Sequence, residues 1–364
     1  MKKIFAIVLA GIMMLSLAAC GGTGLCLVLS LTACGGSSQN TQSTTPSTSE
    51  TTTQSSGYPL TVTTYNYARQ PVEETFQKAP ERVWAQGQDN IEILLALGLA
   101  DKIVGACGLD GAVRADLQDE FETINYYDTF PGKEAVLGLQ PDFITGWYST
   151  FDDTRMGDVG FWHERGVNTY MALNSACRGR SIDAPQTIAE EMEDIMTLGK
   201  IFGVEDRAQQ LVDEIQDELV KIQDYVKDKE PPRIAILEDE GDSYRVYSHT
   251  TLGGNVAEQV GAVLAVGADD NTANISAEEL ISVNPDAIFM VWYEGYTVGE
   301  TDYAGDQVIE LLTKDPKFAS LSAVQNGKVF PINLSGIYCS GMRTLDGVLD
   351  FAHALYPDLY PDAK

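Results

Sequence analysis

The chain has 364 residues, with 24 basic and 53 acidic side chains and a formal net charge of −29. That balance excludes nucleic acid as a partner, because phosphate binding demands basic patches. Hydrophobic residues make up 44% of the chain, which is normal for a globular protein, and the length suffices for two domains.

Lys2 and Lys3 precede an apolar stretch, Ile4 to Ala19, with small residues before Cys20. This predicts a secretory signal over residues 1–19. Leu17-Ala18-Ala19-Cys20-Gly21 resembles a bacterial lipobox, in which the cysteine is lipidated and anchors the chain to the membrane. Leu31-Thr32-Ala33-Cys34 fits the same pattern. Spacing from the lysines favours Cys20, and Cys34 is the alternative. A single membrane-spanning anchor fits less well, because Gly21-Gly22-Thr23-Gly24 divides the run into two short halves. Ser37 to Gly57 is almost entirely Ser, Thr, Gln, Asn, Pro and Glu, so it cannot bury a core. Residues 20–57 are therefore expected to be a lipidated tether.

Leu60 to Tyr65 alternates as a half-exposed strand. Arg82-Val-Trp-Ala predicts a second strand, and Asn90 is expected to cap a helix over Ile91–Leu99. Strands follow at Ile103–Ala106, Phe143–Trp147 and Val167–Ala172, with a helix over Asp158–Gly166. This rhythm implies a parallel sheet with helices on both faces. From Pro185 to Lys227 the pattern is helical throughout, broken at Gly203. The segment Glu205–Val226 would run about 33 Å at 1.5 Å per residue, long enough to join two lobes. After Pro231-Pro232 the α/β rhythm resumes. Strands are expected at Arg233–Leu237, Ala287–Trp292 and Lys328–Ile332. Helices are expected over Leu252–Leu264, Val308–Leu312 and Thr344–Leu355.

One unit occurs twice. Glu134-Ala-Val-Leu-Gly-Leu-Gln-Pro141-Asp142 and Glu278-Glu-Leu-Ile-Ser-Val-Asn-Pro285-Asp286 each close a short helix, and each runs directly into an apolar strand. Proline ends the helix and pushes the preceding residue towards extended geometry. Repetition of the unit implies two α/β lobes with central parallel sheets, joined by one long helix and separated by a cleft. The boundaries expected are 58–200 for the first lobe, 201–230 for the joining helix and 231–364 for the second lobe.

Ligands in open α/β sheets bind beyond the carboxyl ends of the strands. The residues just past the predicted strands are Tyr65, Tyr67, Gln86, Asp89, Trp147, Tyr148, Arg178 and Arg180 in the first lobe. In the second they are Tyr247, His249, Trp292, Tyr293, Tyr338 and Arg343. Aromatic walls suit a large, flat or greasy ligand, and arginines hold carboxylate or catecholate charge in planar forks. Trp147 and Trp292 equally fit as core aromatics at the sheet edge. Arg343 equally fits as a helix cap or as the partner of an acid such as Asp346, and His249 as an ordinary hydrogen-bonding residue. Cys107, Cys177 and Cys339 show no CxxC spacing, so no structural zinc site is expected. Cys107 and Cys177 either pair across the first lobe or remain free thiols.

The layout resembles the substrate-binding lipoproteins of ABC importers for iron-siderophores, haem and cobalamin. The resemblance rests on Ala79-Pro80-Glu81-Arg82-Val83, Asp101-Lys102-Ile103-Val104-Gly105, both Glu/Pro-Asp units and Gly199-Lys200-Ile201-Phe202-Gly203. Ala323 to Val329 and Gly341-Met342-Arg343 also carry it, in order and spacing over nearly all of 58–364. It implies a monomeric, extracytoplasmic, lipid-anchored binding protein with small hinge motion and no cofactor of its own. Its cargo would be a chelated metal, an iron(III)-siderophore foremost, with cobalamin or haem as the alternative. It implies that Glu134 and Glu278 dock on an ABC permease dimer, and it favours ligand contact for Arg343.

An extracellular enzyme on the same scaffold is the competing class. No G-x-G-x-x-G follows a strand, and neither a Walker sequence nor a G-x-S-x-G elbow occurs. A surface adhesin is the third class.

Overall fold

The computed structural model describes residues 57–180, 184–268, 272–299 and 301–362, with the backbone alone at 178–180. The expected signal, Cys20, Cys34 and nearly all of the tether lie outside the described residues.

The first lobe opens with an antiparallel hairpin, β1 (Leu60–Tyr65) and β2 (Pro71–Phe76), paired from Leu60↔Phe76 to Tyr65↔Pro71. The sequence reading missed β2, because its Glu73-Glu74 pair hides the apolar alternation. Then follow β3 (Val83–Gln86), α1 (Gln88–Ala96), β4 (Ile103–Cys107), α2 (Gln118–Phe121), β5 (Tyr126–Tyr127) and α3 (Lys133–Gly138). The lobe continues with β6 (Phe143–Gly146), α4 (Val159–His163), β7 (Asn168–Met171) and α5 (Leu173–Arg180). Five strands form a wholly parallel sheet in the order β5-β4-β3-β6-β7. The hairpin docks on it where the Met171 N–H donates to Thr64 Oγ1 at 2.9 Å. The expected cap at Asn90 is corrected: α1 starts after Gly87, and the Asn90 amide oxygen accepts from Thr145 Oγ1 at 2.6 Å.

Two helices connect the lobes. Thr187 caps α6 (Ile188–Phe202), which ends at Gly203 in the left-handed conformation, φ 69°. There α7 (Glu205–Val226) turns back along it. The joining element is thus doubled, since the Ile188 N–H also donates to Asn255 Oδ1 of the second lobe at 2.9 Å.

The second lobe comprises β8 (Arg233–Asp239), β9 (Tyr244–Val246), α8 (Leu252–Gln259), β10 (Val263–Leu264), β11 (Asn274–Ile275), α9 (Ala277–Val283) and β12 (Ala287–Trp292). It ends with the ribbon β13 (Thr297–Val298) and β14 (Thr301–Asp302), then α10 (Glu310–Thr313), α11 (Ser322–Gln325), β15 (Val329–Asn333) and α12 (Thr344–Leu355). Strands β10, β12 and β15 run parallel with β8, and the short β9 and β11 add an antiparallel edge. The long helix expected over Leu252–Leu264 stops at Gln259. Gly261, at φ 86°, turns the chain into β10.

The twin units have one anatomy. Helices α3 and α9 each end at a left-handed residue, Gln140 (φ 52°) and Asn284 (φ 44°), rather than the extended one expected before proline. A left-handed residue reverses the chain in a single step and closes the last helical turn. Asp142 Oδ1 then accepts from the Arg82 N–H at 2.8 Å, and Asp286 Oδ2 accepts from the Arg233 N–H at 2.9 Å. Each aspartate thereby pins the start of its own strand to the start of the neighbouring parallel strand.

One apolar core runs through the junction, joining Val83 and Leu94 to Ile195, Ile215, Ile234, Phe289 and Phe351. Cys107, Cys177 and Cys339 are buried and none is in a disulfide among the described residues, so the Cys107–Cys177 pairing is not made. Among the described residues no helix is long and apolar enough to cross a membrane.

Candidate functional site

A cavity of ≈ 390 Å³ opens between the carboxyl ends of the two sheets. Its floor is the turn from β3 into α1. Gly87 takes φ 97° there, and a Cβ would crowd Asp89 Oδ1 at 3.1 Å and Trp147 Nε1 at 3.3 Å. The turn thus needs glycine, and it aims Gln88 and Asp89 into the cavity. Gln88 Nε2 donates to Ala112 O at 3.2 Å, and its Oε1 accepts from the Asp110 N–H at 3.1 Å. One side chain therefore shapes the loop after β4 that carries Asp110.

Asp89 Oδ1 accepts from Trp147 Nε1 and from Asn90 Nδ2, both at 2.8 Å. Burial, reinforced by the nearby Glu191 carboxylate, pushes the Asp89 carboxyl up to about 8 despite those donors. Burial thus favours the neutral form of Asp89. Behind it, burial raises Glu191, and burial together with Glu191 raises Asp194 well above the ordinary carboxylate range. Asp194 accepts from Tyr170 Oη at 2.6 Å, while Glu191 accepts from the Gly341 N–H.

The walls come from both lobes. Trp147, just past β6, meets Tyr338 of the second lobe edge-on, with ring centroids 6.1 Å apart. Trp292 ends β12 beside Asn333 at the end of β15, and Tyr293 and Glu294 follow it. The rim nearly closes where a Cβ on Gly111 would lie 3.3 Å from Glu294 Oε2. Asp302, at the end of β14, completes that side.

Arg343 reaches the cavity, but its charge is already committed. Its Nε donates to Glu92 Oε2 at 2.8 Å, and its Nη2 donates to Glu92 Oε1 at 2.6 Å and to Ala112 O at 2.7 Å. Glu92 is fully buried on α1, so this fork ties the lobes together. Its partner is Glu92, not the Asp346 considered from the sequence. Asp346 instead accepts from Arg114 Nη1 at 3.0 Å, a second tie between lobes.

Of the residues singled out in the sequence, Asp89, Trp147, Trp292, Tyr293, Tyr338 and Arg343 line this cavity. Tyr65, Tyr67, Gln86, Tyr148, Tyr247 and His249 do not line it. Tyr65 is buried in an apolar cluster with Trp84 and Phe151. Tyr67 stacks on Tyr148 at 6.2 Å, with the Arg69 guanidinium 4.0 Å above the Tyr148 ring, so the hairpin tip covers Tyr148. Gln86 is buried and accepts from Trp84 Nε1 at 3.4 Å. Tyr247 is buried, donating to Glu238 Oε2 at 2.8 Å, and His249 Nδ1 lies 2.9 Å from Gly267 O. Arg178 and Arg180 fall in α5 rather than a loop, and their side chains lie outside the described residues. Gln88, Asp110, Glu294, Asp302, Asn333 and Ser335 line the cavity and were missed. The strand-end rule reaches Asn333 and, three residues past β4, Asp110.

Twin α/β lobes with a cleft at the strand ends define a solute-binding protein of transport systems. The chain belongs to the periplasmic binding protein family, whose profile matches residues 83–333. It is similar to a solved periplasmic binding protein from Veillonella parvula DSM 2008, at 30% identity and a TM-score of 0.75, covering 84% of this chain and 94% of that one. It is 24% identical over 297 residues to YvrC of Bacillus subtilis (strain 168), an uncharacterized ABC transporter substrate-binding lipoprotein, covering 79% and 84% of the two chains. It is 22% identical over 201 residues to the Fe(3+)-citrate-binding protein YfmC of the same organism, covering 55% and 56%. The chain is thus a solute-binding protein of the ABC-importer class. Members of this class bind and hand over substrates for transport rather than transform them.

Proposed function

We propose that this protein captures a metal already wrapped in an organic chelator, an iron(III)-siderophore foremost, and delivers it to an ABC permease dimer. The observation that carries the reading is the cavity itself, walled by Trp147, Trp292, Tyr293 and Tyr338 from both lobes. Aromatic faces grip the organic shell of a chelate. Among the described residues no group of three His, Cys, Asp or Glu is placed to hold a bare metal ion. A chelate that brings its own ligands needs none. The volume of ≈ 390 Å³ falls within the roughly 300–1,000 Å³ spanned by ligand pockets.

The rest of the reading follows the chain. A lipid on Cys20, or on Cys34, would tether a monomeric body to the outer face of the membrane. The body would consist of a first lobe at 58–200, a junction at 201–230 and a second lobe at 231–364. Glu134 and Glu278, exposed in the first turns of α3 and α9, would meet the permease.

Melting the protein with a panel of ferric chelates, cobalamin and haem tests capture. A ligand at 100 times its Kd stabilises by about 2.7 kcal/mol, a rise in Tm of about 5 °C. A rise with a ferric chelate supports the reading. A rise with the macrocycles alone shifts the cargo to them, and a Tm unmoved by all of them contradicts capture.

A further inference from the structure

Resting on that reading, we propose that the cleft takes a chelate with no net negative charge, and that Asp110, Glu294 and Asp302 face a cationic or hydrogen-bond-donating arm of it. The site is the cavity already described; the new element is the sign of the charge that it accepts. Among the described lining residues the one cation is Arg343, and the fully buried Glu92 neutralises it through a two-pronged fork. An anionic cargo would have to compete with Glu92 for that guanidinium and leave a buried carboxylate uncompensated.

The remaining charge on the walls is acidic. Asp110 comes from the loop after β4, Glu294 from the turn after β12 and Asp302 from β14, so both lobes contribute. None of the three forms an ion pair with another described residue. Asp110 is exposed at the rim, yet the protein around it raises its pKa, so a negative group brought beside it would meet direct charge repulsion. Asp89 on the floor, its pKa raised to about 8 by burial, offers no positive charge to an anionic cargo. A cationic arm relieves this arrangement and an anionic one worsens it.

Ferrioxamine B tests the assignment, because its pendant amine can be left cationic, acetylated to neutral or succinylated to anionic without altering the iron-binding core. Kd for the three forms is measured on the full chain, alongside ferric citrate, a ferric tricatecholate and neutral cyanocobalamin. The expected order is cationic tightest and succinylated weakest, with at least about a tenfold spread that narrows at high salt. The triple variant Asp110→Asn, Glu294→Gln, Asp302→Asn should shrink the spread below about threefold. If none of the ferrioxamines binds, binding of cyanocobalamin alone still supports a cargo without negative charge. Tighter binding of the succinylated form, of ferric citrate or of the tricatecholate overturns the charge assignment and leaves chelate capture standing. A spread that persists in a folded triple variant also overturns it. Binding of no chelate at all overturns the capture reading, and this inference with it.

Discussion

Asp89 is held at the end of a buried turn by two N–H donors, yet those donors do not outweigh its burial. Its pKa rises from 3.8 in the unfolded chain to about 8 in the fold. A group raised in this way contributes most to stability below the lower value, and that contribution is lost as pH climbs through the upper one. Asp89→Asn keeps an oxygen for Trp147 and cannot ionise. Urea unfolding of the two proteins from pH 4 to pH 8.5 should therefore show the wild type losing ground with rising pH, ending about 1–3 kcal/mol below the variant. Parallel pH profiles would contradict the assignment. Glu191 and Asp194 are raised in the same direction, but they are present in both proteins and largely cancel in the comparison. Arg343 teaches a different lesson at this scale. Its partner, Glu92, lies 251 positions away, so nothing in local spacing could show that the guanidinium was spoken for.

At the scale of elements, the helix–Pro-Asp–strand unit was the most legible part of the chain, because each of its determinants acts locally. Proline ends the helix, and the aspartate carboxylate accepts the first N–H of the adjacent strand. The apolar run then fills the sheet. Strand β2 and helix α5 were not legible. Glu73 and Glu74 mask the first, and the second is a polar helix, Leu-Asn-Ser-Ala-Cys-Arg-Gly-Arg, with no apolar stripe to betray it. The aromatic half of the cavity followed from strand ends, whereas its acidic half did not, because acids at strand ends are common in so acidic a chain. The same twin units present Glu134 and Glu278 at equivalent exposed positions, neither bonded to another described side chain. Glu134→Arg with Glu278→Arg should abolish uptake in cells while leaving ligand Kd and Tm within about twofold and 1 °C of wild type, as surface changes do. Uptake that survives the double reversal would remove the docking role.

The whole molecule explains why the cavity is a defined site and not a loose gap. Helices α6 and α7 share one apolar core with both sheets. Several polar ties cross between the lobes, among them Glu92 with Arg343, Asp346 with Arg114, and the Glu191 carboxylate with the Gly341 N–H. Breaking the first would strand a buried carboxylate, at a cost of about 3–5 kcal/mol, so large opening of the lobes is disfavoured. The cargo must therefore enter a cleft whose walls are already in place, and Trp147 and Trp292 should feel its arrival directly. Tryptophan fluorescence titrated with a ferric trihydroxamate, in wild type and in Trp147→Phe with Trp292→Phe, tests chelate capture in the cleft most directly. The account predicts saturable quenching at one complex per chain, with the signal largely lost and Kd weakened by about tenfold or more in the double variant. Quenching and affinity that persist unchanged without these two tryptophans would place the ligand elsewhere and contradict it.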